Sequence, residues 1–292
     1  MRVLVTGAEG QLGRSLVARL GDAGHQPVGI DLADGDLADP GVAARLLAEL
    51  GPDQVVHAAA YTAVDRAESE RDLAERGNAV ATARLAEACD AAGCALTAIS
   101  TDYVFDGEQS AGYREDATRR PVNWYGETKA HAEEAVLAMV SARSRVVRTS
   151  WLFGHGPANF VRTMRRLLAE RDRLRVVDDQ HGSPTYGPDL ARLVVDLLGT
   201  DAGGVFHGTN RGVTTWCGFA REIARLSGHD PARIEPCTSE EYPTPAARPR
   251  WSVLLETRLD ALGIAPAPGW QDGLARYLAW LDRQEAEEGA RP

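Results

Sequence analysis

The first thirteen residues constrain the fold of this chain more than any other stretch. The apolar run Val3-Leu4-Val5 is followed by Gly7, Gly10 and Gly13, and apolar residues then recur at helical spacing. This order indicates a strand, a tight turn and a helix. Gly7 can adopt backbone angles that other residues avoid, Gly10 leaves room for a phosphate beside the main chain, and Gly13 lets the helix lie close to the strand. Since the N–H groups at a helix start bind anions, the stretch predicts the pyrophosphate site of a dinucleotide-binding fold, although its G-x-x-G-x-x-G spacing differs from the usual G-x-G-x-x-G.

Composition and charge limit the function classes. The chain has 292 residues and a formal net charge of −10, which argues against a nucleic-acid partner or an anionic membrane surface. No apolar run approaches the roughly 18 residues of a membrane span, and the sequence has no signal-peptide pattern, so we expect a cytoplasmic protein. The four cysteines have no zinc-type spacing, and we expect idle thiols in a reducing compartment and no metal site.

Strand and helix patterns alternate along most of the chain. The predicted strands after the first cover about residues 27–30, 54–57, 95–100, 145–148, 174–177 and 205–207. The predicted helices after the first cover about residues 78–92, 124–140, 189–198, 216–226 and 270–281. A further helix follows Asp39-Pro40-Gly41, with Asp39 as its N-cap, and Gly93 is the predicted stop of the helix over 78–92. This alternation predicts the α/β class, with a Rossmann-type, doubly wound parallel sheet.

The same pattern predicts a division of the chain into two parts. We expect residues 1–150 to form a dinucleotide-binding Rossmann domain, with a later segment of about residues 186–210 completing its sheet. We expect residues 151–185 and 211–292 to form a smaller C-terminal substrate-binding lobe. Ligands of such sheets bind at the carboxyl ends of the strands, so the residues that directly follow each strand are the first candidates for a site.

The residues after the second and third predicted strands are candidates for cofactor contacts. Asp31 follows the second strand, where a carboxylate can bind the ribose hydroxyls of adenosine, which favours NADH. Residues 32–36 contain no arginine or lysine for the 2′-phosphate of NADPH, and the alternative for Asp31 is a plain loop aspartate. We expect Asp36 and Leu37 to lie against the adenine. Ala58–Ala60 would let the cofactor pass close to the main chain, although an alanine-rich strand end explains them equally well.

A hydroxyl, a phenol and an amine come next, in an order that suits acid–base chemistry. Thr101 follows the fourth predicted strand, and Tyr125 and Lys129 lie four residues apart on the following helix, hence on one face of it. An ammonium group beside a phenol would lower the pKa of Tyr125 from its ordinary value of about 10. Tyr125 would then serve as an acid or base near neutral pH, with Thr101 bound to the same substrate oxygen. A Tyr-x-x-x-Lys pair is common by itself, and its place after the glycine turn and Thr101 gives it weight.

Seven segments carry a resemblance to a known family. They are Gly10–Gly13, residues 59–65, 100–107, 125–129, 148–151 and 180–185, and Arg248-Pro249. With them the chain resembles the extended short-chain dehydrogenase/reductase superfamily and, within it, the dTDP-4-dehydrorhamnose reductase family. The resemblance implies that NADPH or NADH reduces the C4 ketone of dTDP-4-dehydro-6-deoxy-L-mannose, a dTDP-linked 4-keto-6-deoxy sugar, to give dTDP-L-rhamnose.

The resemblance also implies the roles of individual residues. Catalysis would fall to Thr101, Tyr125 and Lys129. The cofactor would contact Gly7, Gly10, Gln11, Leu12, Gly13, Ala58, Ala59, Ala60, Tyr125 and Lys129, in addition to Asp31, Asp36 and Leu37. The substrate would contact Thr62, Val64, Thr101, Asp102, Tyr103 and Trp151. The alternative for Trp151 is an ordinary core tryptophan.

Four positions carry further expectations. Arg248, in a proline-rich loop, is the candidate cation for the diphosphate of the substrate, and a plain surface arginine is the alternative. Glu9 places an acid near the expected phosphate, and Trp124 precedes the tyrosine where a smaller residue is frequent in the family. Ser15 stands where some relatives have a glutamate that binds magnesium at a dimer interface, so we expect no metal, and a homodimer would form without one.

Three other functions fit the same residues less well. A 4-ketoreductase for another nucleotide-linked deoxysugar would use the same groups in a pocket of different shape. An epimerase or dehydratase is disfavoured because Tyr103 follows Asp102, where dehydratases tend to have a second carboxylate. A non-catalytic regulatory subunit would keep the fold and bind a partner protein, although the intact Thr101, Tyr125 and Lys129 argue against it.

Overall fold

Six parallel strands form the central sheet of this computed structural model, which describes residues 1–156 and 158–289. They are β1 (Arg2–Thr6), β2 (Gln26–Ile30), β3 (Gln54–His57), β4 (Ala95–Thr101), β5 (Arg145–Thr149) and β10 (Gly204–His207). Their order across the sheet is β10-β5-β4-β3-β1-β2. Strand β2 therefore lies on one side of β1, and the later strands follow one another on its other side. The prediction of a Rossmann-type, doubly wound parallel sheet is confirmed.

Helices cover both faces of this sheet. The helices that follow its strands or join them are α1 (Gln11–Asp22), α2 (Val42–Leu50), α3 (Val64–Ala67), α4 (Arg71–Glu75), α5 (Ala81–Ala91), α6 (Trp124–Leu137) and α8 (Gly187–Leu198). On one face α1 and α8 pack with Val3 and Val5, and on the other face α2 and α5 pack with Leu4. Because successive strand residues point to opposite faces, the continuous apolar run of β1 fills both layers.

The helix predicted over residues 78–92 begins earlier than its pattern indicates. A π-helical turn, Arg76–Val80, joins α4 to α5, so the helical path covers residues 71–91. Asn78, the predicted start, lies inside this turn. Gly93 has a φ of 67° shortly after the helix, in agreement with its predicted role as the stop.

The start of α2 also differs from the prediction. Gly41, with a φ of 78°, is the N-cap residue, and its carbonyl oxygen accepts a hydrogen bond from the N–H of Arg45 at 2.9 Å. Asp39, the predicted N-cap, instead forms an ion pair with Arg76 at 2.6 Å. The prediction is wrong because a partner from a distant part of the chain binds that carboxylate.

Beyond β5 the chain builds a set of short strand pairs with their own helices. Leu152–Phe153 (β6) pairs with Thr185–Tyr186 (β9), Leu174–Val177 (β7) with Ile234–Cys237 (β12), and His181–Gly182 (β8) with Thr214–Thr215 (β11). The helices are α7 (Phe160–Glu170), α9 (Trp216–Leu226) and α10 (Trp270–Gly289). Together these elements form what we call the small lobe, whose core includes Phe153, Phe219 and Tyr277 and is separate from the cores of the sheet.

The chain does not stay in the small lobe once it has entered it. Helix α8 and strand β10 return to the central sheet, where β10 pairs with β5. Later, Leu259, Ile264 and Ala267 pack into the same core as α1 and α8. The sheet side of the molecule is thus assembled from three separate stretches of sequence.

Neither a membrane-spanning helix nor a metal-binding cluster occurs in the part of the chain that the structure describes. Across residues 1–156 and 158–289, no helix is both long and apolar enough to cross a membrane. Over the same ranges, no group of three or more histidine, cysteine, aspartate or glutamate side chains is arranged to hold a metal ion. All four cysteines are buried, free thiols.

Candidate active site

The carboxyl ends of the central strands open into a cleft of about 730 Å³. In the sheet register Thr6 lies beside His57 and Thr101 lies beside Thr149, so the residues that follow the strands meet at one edge. The predicted site residues that line the cleft are Gly7, Gly10, Gln11, Leu12, Gly13, Asp31, Asp36, Leu37, Ala58, Ala59, Ala60, Thr62, Thr101, Asp102, Tyr125, Lys129 and Trp151. The predicted site residues outside this lining are Val64, Tyr103 and Arg248.

The glycine turn forms a tight backbone cradle in the cleft. Gly7 has a φ of 67°, in the left-handed region, and a Cβ there would lie 2.7 Å from the backbone nitrogen of Ala59. At Gly13 a Cβ would lie 2.0 Å from the carbonyl oxygen of Gly7, so only glycine lets α1 pack against the turn. Helix α1 begins at Gln11 after the N-cap Gly10, which has no side chain to bind the first N–H groups of the helix. Those groups and the close backbone approach suit a pyrophosphate, so the residues present fit the dinucleotide that the fold implies.

The unexpected acid in the turn, Glu9, is neutralised by a neighbour. Its carboxylate pairs with the guanidinium of Arg14, which also donates from Nε to the carbonyl oxygen of Glu9 at 2.9 Å. Both side chains are more than half exposed to solvent. Glu9 therefore adds no uncompensated charge beside the phosphate cradle.

The end of the cleft beside Asp31 contains a cation that the local sequence does not show. Asp31 accepts a hydrogen bond from the N–H of Glu9 at 2.7 Å, which holds its carboxylate in place. Arg76, from the π-helical turn, lines the cleft and pairs with Asp36 at 2.8 Å. A backbone N–H and then Arg76 keep the pKa of Asp36 below its ordinary value. Residues 32–36 contain no cation, and the cation at this end comes from a residue 40 positions after Asp36.

Tyr125 and Lys129 are set in place by the first turns of α6. Asn123 caps this helix, since its side-chain oxygen accepts a hydrogen bond from the N–H of Gly126 at 2.8 Å. Lys129 is 3% exposed, and its Nζ donates to the carbonyl oxygen of Ile99 at 2.8 Å. The amine is therefore held against the carboxyl-terminal end of β4, at the cleft.

The hydroxyl of Thr101 is already oriented by its neighbours. It accepts a hydrogen bond from the N–H of Tyr103 at 3.2 Å and donates to Oδ1 of Asp102 at 3.0 Å. Asp102 is 2% exposed, and its Oδ2 is buried with no hydrogen-bond partner among the described residues. Burial raises the pKa of Asp102 to about 7. Asp102 therefore brings a carboxyl group that is easily protonated into direct contact with Thr101.

The pKa of Tyr125 is raised rather than lowered. Burial and then the Asp102 carboxylate raise it to about 12, and the neighbouring Thr101 hydroxyl opposes them in part. The prediction of a pKa below the ordinary value is wrong, because loss of hydration raises the pKa of the phenol. Burial also lowers the pKa of the Lys129 amine, to about 8. Tyr125 is consequently a protonated phenol at neutral pH, which is the form that can donate a proton.

His57 is a buried residue of the site that motif analysis missed. Its Nδ1 lies 2.7 Å from Thr6 Oγ1, and its Nε2 lies 3.1 Å from Thr82 Oγ1. Because the Thr82 hydroxyl donates to the carbonyl oxygen of Asn78 at 2.6 Å, Thr82 accepts the Nε2 proton and Thr6 donates to Nδ1. Burial lowers the pKa of His57 to about 3, so the ring is neutral. His57 thus fixes the strand ends that lead into Ala58–Ala60, and no sequence signal separates it from an ordinary core histidine.

Asn78 connects the third strand to the helix of Tyr125. Its Oδ1 accepts a hydrogen bond from the N–H of Tyr61 at 2.8 Å, and its Nδ2 donates to the carbonyl oxygen of Tyr61 at 3.1 Å and to Thr128 Oγ1 at 2.9 Å. Thr128 in turn donates to the carbonyl oxygen of Tyr125 at 2.9 Å. The π-helical turn that disturbs the helical pattern therefore places one amide where it joins both sides of the cleft.

Trp151 follows β5, three strands away from the glycine turn in the sheet. It has a φ of 47°, the one positive value at a non-glycine residue in the described parts of the chain. Its indole stacks on the indole of Trp216 with ring centroids 3.7 Å apart. A Cβ at Gly182 would lie 2.5 Å from the Trp151 ring. Trp151 is half-buried between the small lobe and the cleft, which differs from the environment of an ordinary core tryptophan.

Arg248 is held by protein groups and does not face the cleft. Its guanidinium pairs with both carboxylate oxygens of Asp65, at 2.8 and 2.9 Å, and donates to the carbonyl oxygen of Ala246 at 2.8 Å. The hydrogen bonds from Arg248, and one from the N–H of Ala246 at 3.2 Å, lower the pKa of Asp65 below its ordinary value. With a side chain only 19% exposed, Arg248 is neither a plain surface arginine nor a free cation for a diphosphate. It ties the proline-rich loop to α3.

The other two predicted substrate residues outside the cleft lining lie next to it. The ring of Tyr103 meets the ring of Tyr125 edge-on, with centroids 5.9 Å apart. Val64 begins α3, and its N–H donates to the carbonyl oxygen of Thr62, a cleft residue, at 3.0 Å. Both positions therefore adjoin residues that reach the cleft.

A glycine cradle and a tyrosine–lysine pair meet here in one cleft of a Rossmann-type fold. This combination defines an oxidoreductase of the short-chain dehydrogenase/reductase type. Comparison with known sequences narrows the class, because the family described as "RmlD substrate binding domain" matches residues 1–283. The chain belongs to this family.

Individual relatives agree with that assignment. The chain is 45% identical to a dTDP-4-dehydrorhamnose reductase of Streptomyces griseus, over 96% of this chain and 94% of that protein. It is 39% identical to a dTDP-4-keto-6-deoxy-D-glucose reductase of Streptomyces niveus, over 98% of this chain and 99% of that protein. Among solved structures, the dTDP-4-dehydrorhamnose reductase of Bacillus anthracis in complex with NADP matches with a TM-score of 0.91 and 38% identity, over 95% of this chain and 98% of that one.

Proposed function

We propose that this chain reduces the C4 ketone of dTDP-4-dehydro-6-deoxy-L-mannose to the alcohol, giving dTDP-L-rhamnose, with NADPH or NADH as cofactor. The observation that carries this proposal is the single cleft that brings the glycine turn together with Thr101, Tyr125 and Lys129. The relatives named dTDP-4-dehydrorhamnose reductase, one of them 45% identical, support the choice of substrate. All the reactants are small and water-soluble, and we place the protein in the cytoplasm.

The cofactor would be held largely by backbone groups. The first N–H groups of α1 and the bare backbone of Gly7 and Gly10 suit the pyrophosphate. The carboxylate of Asp31 suits the hydroxyls of the adenosine ribose, which favours NADH. Arg76 lines the same end of the cleft and pairs with Asp36 and Asp39. We propose that it exchanges one of these carboxylates for the 2′-phosphate of NADPH, so that both cofactors are accepted.

The reaction needs a hydride and a proton, and the bound dinucleotide supplies the hydride to C4. Tyr125 donates its phenolic proton to the carbonyl oxygen, and its pKa of about 12 retains that proton until the oxygen becomes basic. Thr101 stabilises negative charge on the same oxygen by a hydrogen bond. When Asp102 is protonated it can donate to Thr101, which leaves the Thr101 hydroxyl proton free for the substrate. Lys129, charged at neutral pH, favours the phenolate that remains, and solvent restores the proton.

The sugar and its nucleotide would lie between the sheet and the small lobe. Thr62 and Trp151 line the cleft on the two sides, and Val64 and Tyr103 adjoin it. We therefore propose that the sugar is contacted from both sides, with residues 151–185 and 211–292 supplying the wall that Trp151 forms. A homodimer, if the protein forms one, would assemble without metal.

A second candidate is reduction of a different dTDP-linked 4-keto sugar. The relative named dTDP-4-keto-6-deoxy-D-glucose reductase is 39% identical over almost the whole chain, which favours this alternative specifically. Trp124 also sits at the first turn of α6, where its indole N–H donates to the carbonyl oxygen of Arg71 at 3.1 Å. A bulky side chain at this position would change the shape of a sugar pocket while leaving Tyr125 and Lys129 in place.

One assay separates the two candidates. Oxidation of NADPH and of NADH is followed at 340 nm with dTDP-4-dehydro-6-deoxy-D-glucose, in the presence and in the absence of a 3,5-epimerase that converts it to the L-sugar. Turnover that requires the epimerase and yields dTDP-L-rhamnose supports the first candidate. Turnover of the D-sugar without epimerase supports the second. A protein that binds either cofactor and turns over neither sugar would contradict both.

A further inference from the structure

The backbone at Trp151 is unusual and needs support. A positive φ is rare for a bulky residue, because its Cβ then crowds the backbone, and Trp151 has a φ of 47°. Strain of this kind persists only where surrounding contacts determine the conformation, and it is concentrated at functional sites. Trp151 also lines the cleft. The contacts that hold it are therefore candidates for residues that shape the site.

Two contacts from the small lobe hold the Trp151 ring. Trp216 stacks on it with a centroid separation of 3.7 Å and an angle of 9° between the ring planes. Gly182 leaves room for it, since a Cβ there would lie 2.5 Å from Cε2 and 2.7 Å from Cζ2. The backbone of Trp151 is also fixed, because its carbonyl oxygen accepts a hydrogen bond from the N–H of Thr185 at 3.2 Å.

Trp216 is itself rigidly mounted. It is the first residue of α9, whose N-cap Thr215 accepts a hydrogen bond from the N–H of Gly218 at 2.9 Å. The Thr215 hydroxyl donates to the carboxylate of Asp178 at 2.5 Å. Phe160 packs on the Trp216 ring with centroids 4.6 Å apart. These contacts fix the second indole before any substrate arrives.

The pairing of β8 with β11 explains why both supports act together. It places Gly182 opposite Thr214, which lies two residues before Trp216. One short strand pair therefore positions both the glycine that leaves room for the Trp151 ring and the tryptophan that stacks on it. Trp216 does not belong to the cleft lining. Its effect on a ligand in the cleft must therefore pass through Trp151.

We propose that Trp216 is a positioning residue for the sugar subsite, which holds the indole of Trp151 against the cleft and so strengthens sugar binding without touching the sugar. The inference rests on the proposed function, in which Trp151 contacts the sugar. An aromatic ring fixed in advance binds a sugar face without first losing rotational freedom. Loss of the stack would therefore weaken sugar binding and leave the cofactor half of the cleft unchanged.

The test compares Trp216→Leu, which removes the aromatic partner, with Trp216→Phe, which restores a ring, and with Trp280→Phe as control. Trp280 lies in the same lobe, stacks on His155 at 4.2 Å and does not line the cleft. Since one aromatic pair contributes about 0.5–1.5 kcal/mol, we expect Trp216→Leu to raise KM for the dTDP sugar about two- to tenfold. We expect KM for NADPH and kcat to change little, Trp216→Phe to recover most of the sugar KM, and the control to match the unmodified protein.

A spectroscopic readout keeps this test independent of turnover. Two stacked indoles couple and give an exciton band in the circular dichroism spectrum, which Trp216→Leu and Trp216→Phe should abolish and Trp280→Phe should retain. If the unmodified protein turns over no sugar, the proposed function fails, and binding of dTDP-L-rhamnose by calorimetry then replaces KM in the comparison. If the band is lost and sugar KM or affinity is unchanged in Trp216→Leu, the positioning role is overturned.

A second variant covers the case in which Trp216→Leu does not fold. Gly182→Ala leaves Trp216 intact and drives a methyl group into the space of the Trp151 ring. We expect the same rise in sugar KM and the same loss or change of the exciton band. A folded Gly182→Ala protein with unchanged sugar KM would overturn the proposal.

Discussion

The two halves of the cleft are built in different ways. The cofactor half consists mainly of backbone, with the turn from Gly7 to Gly13 packed directly on the strand end at Ala59. The half beside the small lobe consists of side chains that hold one another, such as the stacked indoles of Trp151 and Trp216. The residues of the glycine turn are close together in sequence, whereas Trp151 and Trp216 are far apart.

This difference affects how each half should respond to mutation. A backbone cradle has no spare volume, so one added methyl group is enough to displace it. Side chains that line the other half can rearrange, so a substitution there should change the affinity for the sugar only moderately. The predictions below test this contrast, from the largest expected effect to the smallest.

Tyr125 lies where the two halves meet, and its loss should have the largest effect. Since general acid catalysis contributes about 10²- to 10⁴-fold, we expect Tyr125→Phe to lower kcat by a factor in this range. NADPH binding, measured by calorimetry, should persist because the cradle is untouched. Tyr242→Phe is the control, since Tyr242 is 58% exposed on the proline-rich loop. Full turnover by Tyr125→Phe would remove Tyr125 from the proposed chemistry.

Two glycines of the same helix give a matched test of the backbone cradle. Gly13→Ala would place a Cβ 2.0 Å from the carbonyl oxygen of Gly7, and we expect loss of cofactor binding and a destabilisation of about 1–3 kcal/mol. Gly21→Ala, with no atom within 4 Å of its added Cβ, should raise the free energy of unfolding by about 0.5–1 kcal/mol. Thermal melts and NADPH titration measure both. Equal behaviour of the two variants would show that the close approach at Gly13 is unimportant.

The charged end of the cofactor half should set the choice of cofactor. Asp31→Asn keeps the shape and removes the charge, and because hydrogen bonds to charged groups contribute about 1.5–3 kcal/mol, we expect the NADH to NADPH ratio of kcat/KM to fall about tenfold. Arg76→Gln should raise the same ratio. Arg166→Gln is the control, because Arg166 pairs with Glu170 at 2.9 Å and does not line the cleft. Unchanged ratios in both variants would exclude Asp31 and Arg76 from cofactor choice.

The buried carboxyl group of Asp102 should make stability depend on pH. Its pKa is about 7 in the folded protein and near its ordinary value when the chain is unfolded, so unfolding releases a proton between about pH 4 and pH 7. The folded state therefore loses stability as pH rises through this window, by up to about 1.4 kcal/mol per pH unit from this group. Asp102→Asn should lack that contribution. Denaturant unfolding of both proteins at a series of pH values measures the difference, and parallel curves would contradict it.

The tie between Arg248 and Asp65 should have the smallest effect. Because the ion pair is partly exposed, we expect a coupling energy of about 0.2–1 kcal/mol in a double-mutant cycle of Arg248→Met and Asp65→Asn. Both single variants should raise sugar KM by similar, modest factors. If Arg248→Met raises sugar KM far more than Asp65→Asn does, Arg248 contacts the substrate diphosphate after all.

The contrast between the halves also explains what could be predicted from the sequence. The strands, the glycine cradle and the four-residue spacing of Tyr125 and Lys129 are local patterns, and they indicated the fold and the cleft lining. Arg76 could not be predicted, because its approach to Asp36 depends on the path of a helix that contains a π-helical turn. The same guanidinium explains the wrong N-cap at Asp39.

The burial of the site residues could not be predicted from the sequence either. The spacing of Tyr125 and Lys129 predicts an interaction of charges, and the direction of the pKa of Tyr125 depends instead on how far both groups are removed from water. The support of Trp151 by Gly182 and Trp216 likewise follows from the pairing of two-residue strands, which are too short to give a pattern. The sequence thus indicates which residue types form the site, but not how deeply they are buried or which residues they contact.

The late return of β10 to the sheet has a consequence for synthesis on the ribosome. When residues 1–150 have emerged, β5 is complete, but its outer edge has no neighbour until residues 204–207 follow. The buried residues of β5, Val146 and Val147, make that open edge attractive to other extended chains. The nascent chain therefore has one unprotected edge of its sheet while residues 150–203 are being synthesised. A fragment that stops after β5 should aggregate when expressed alone.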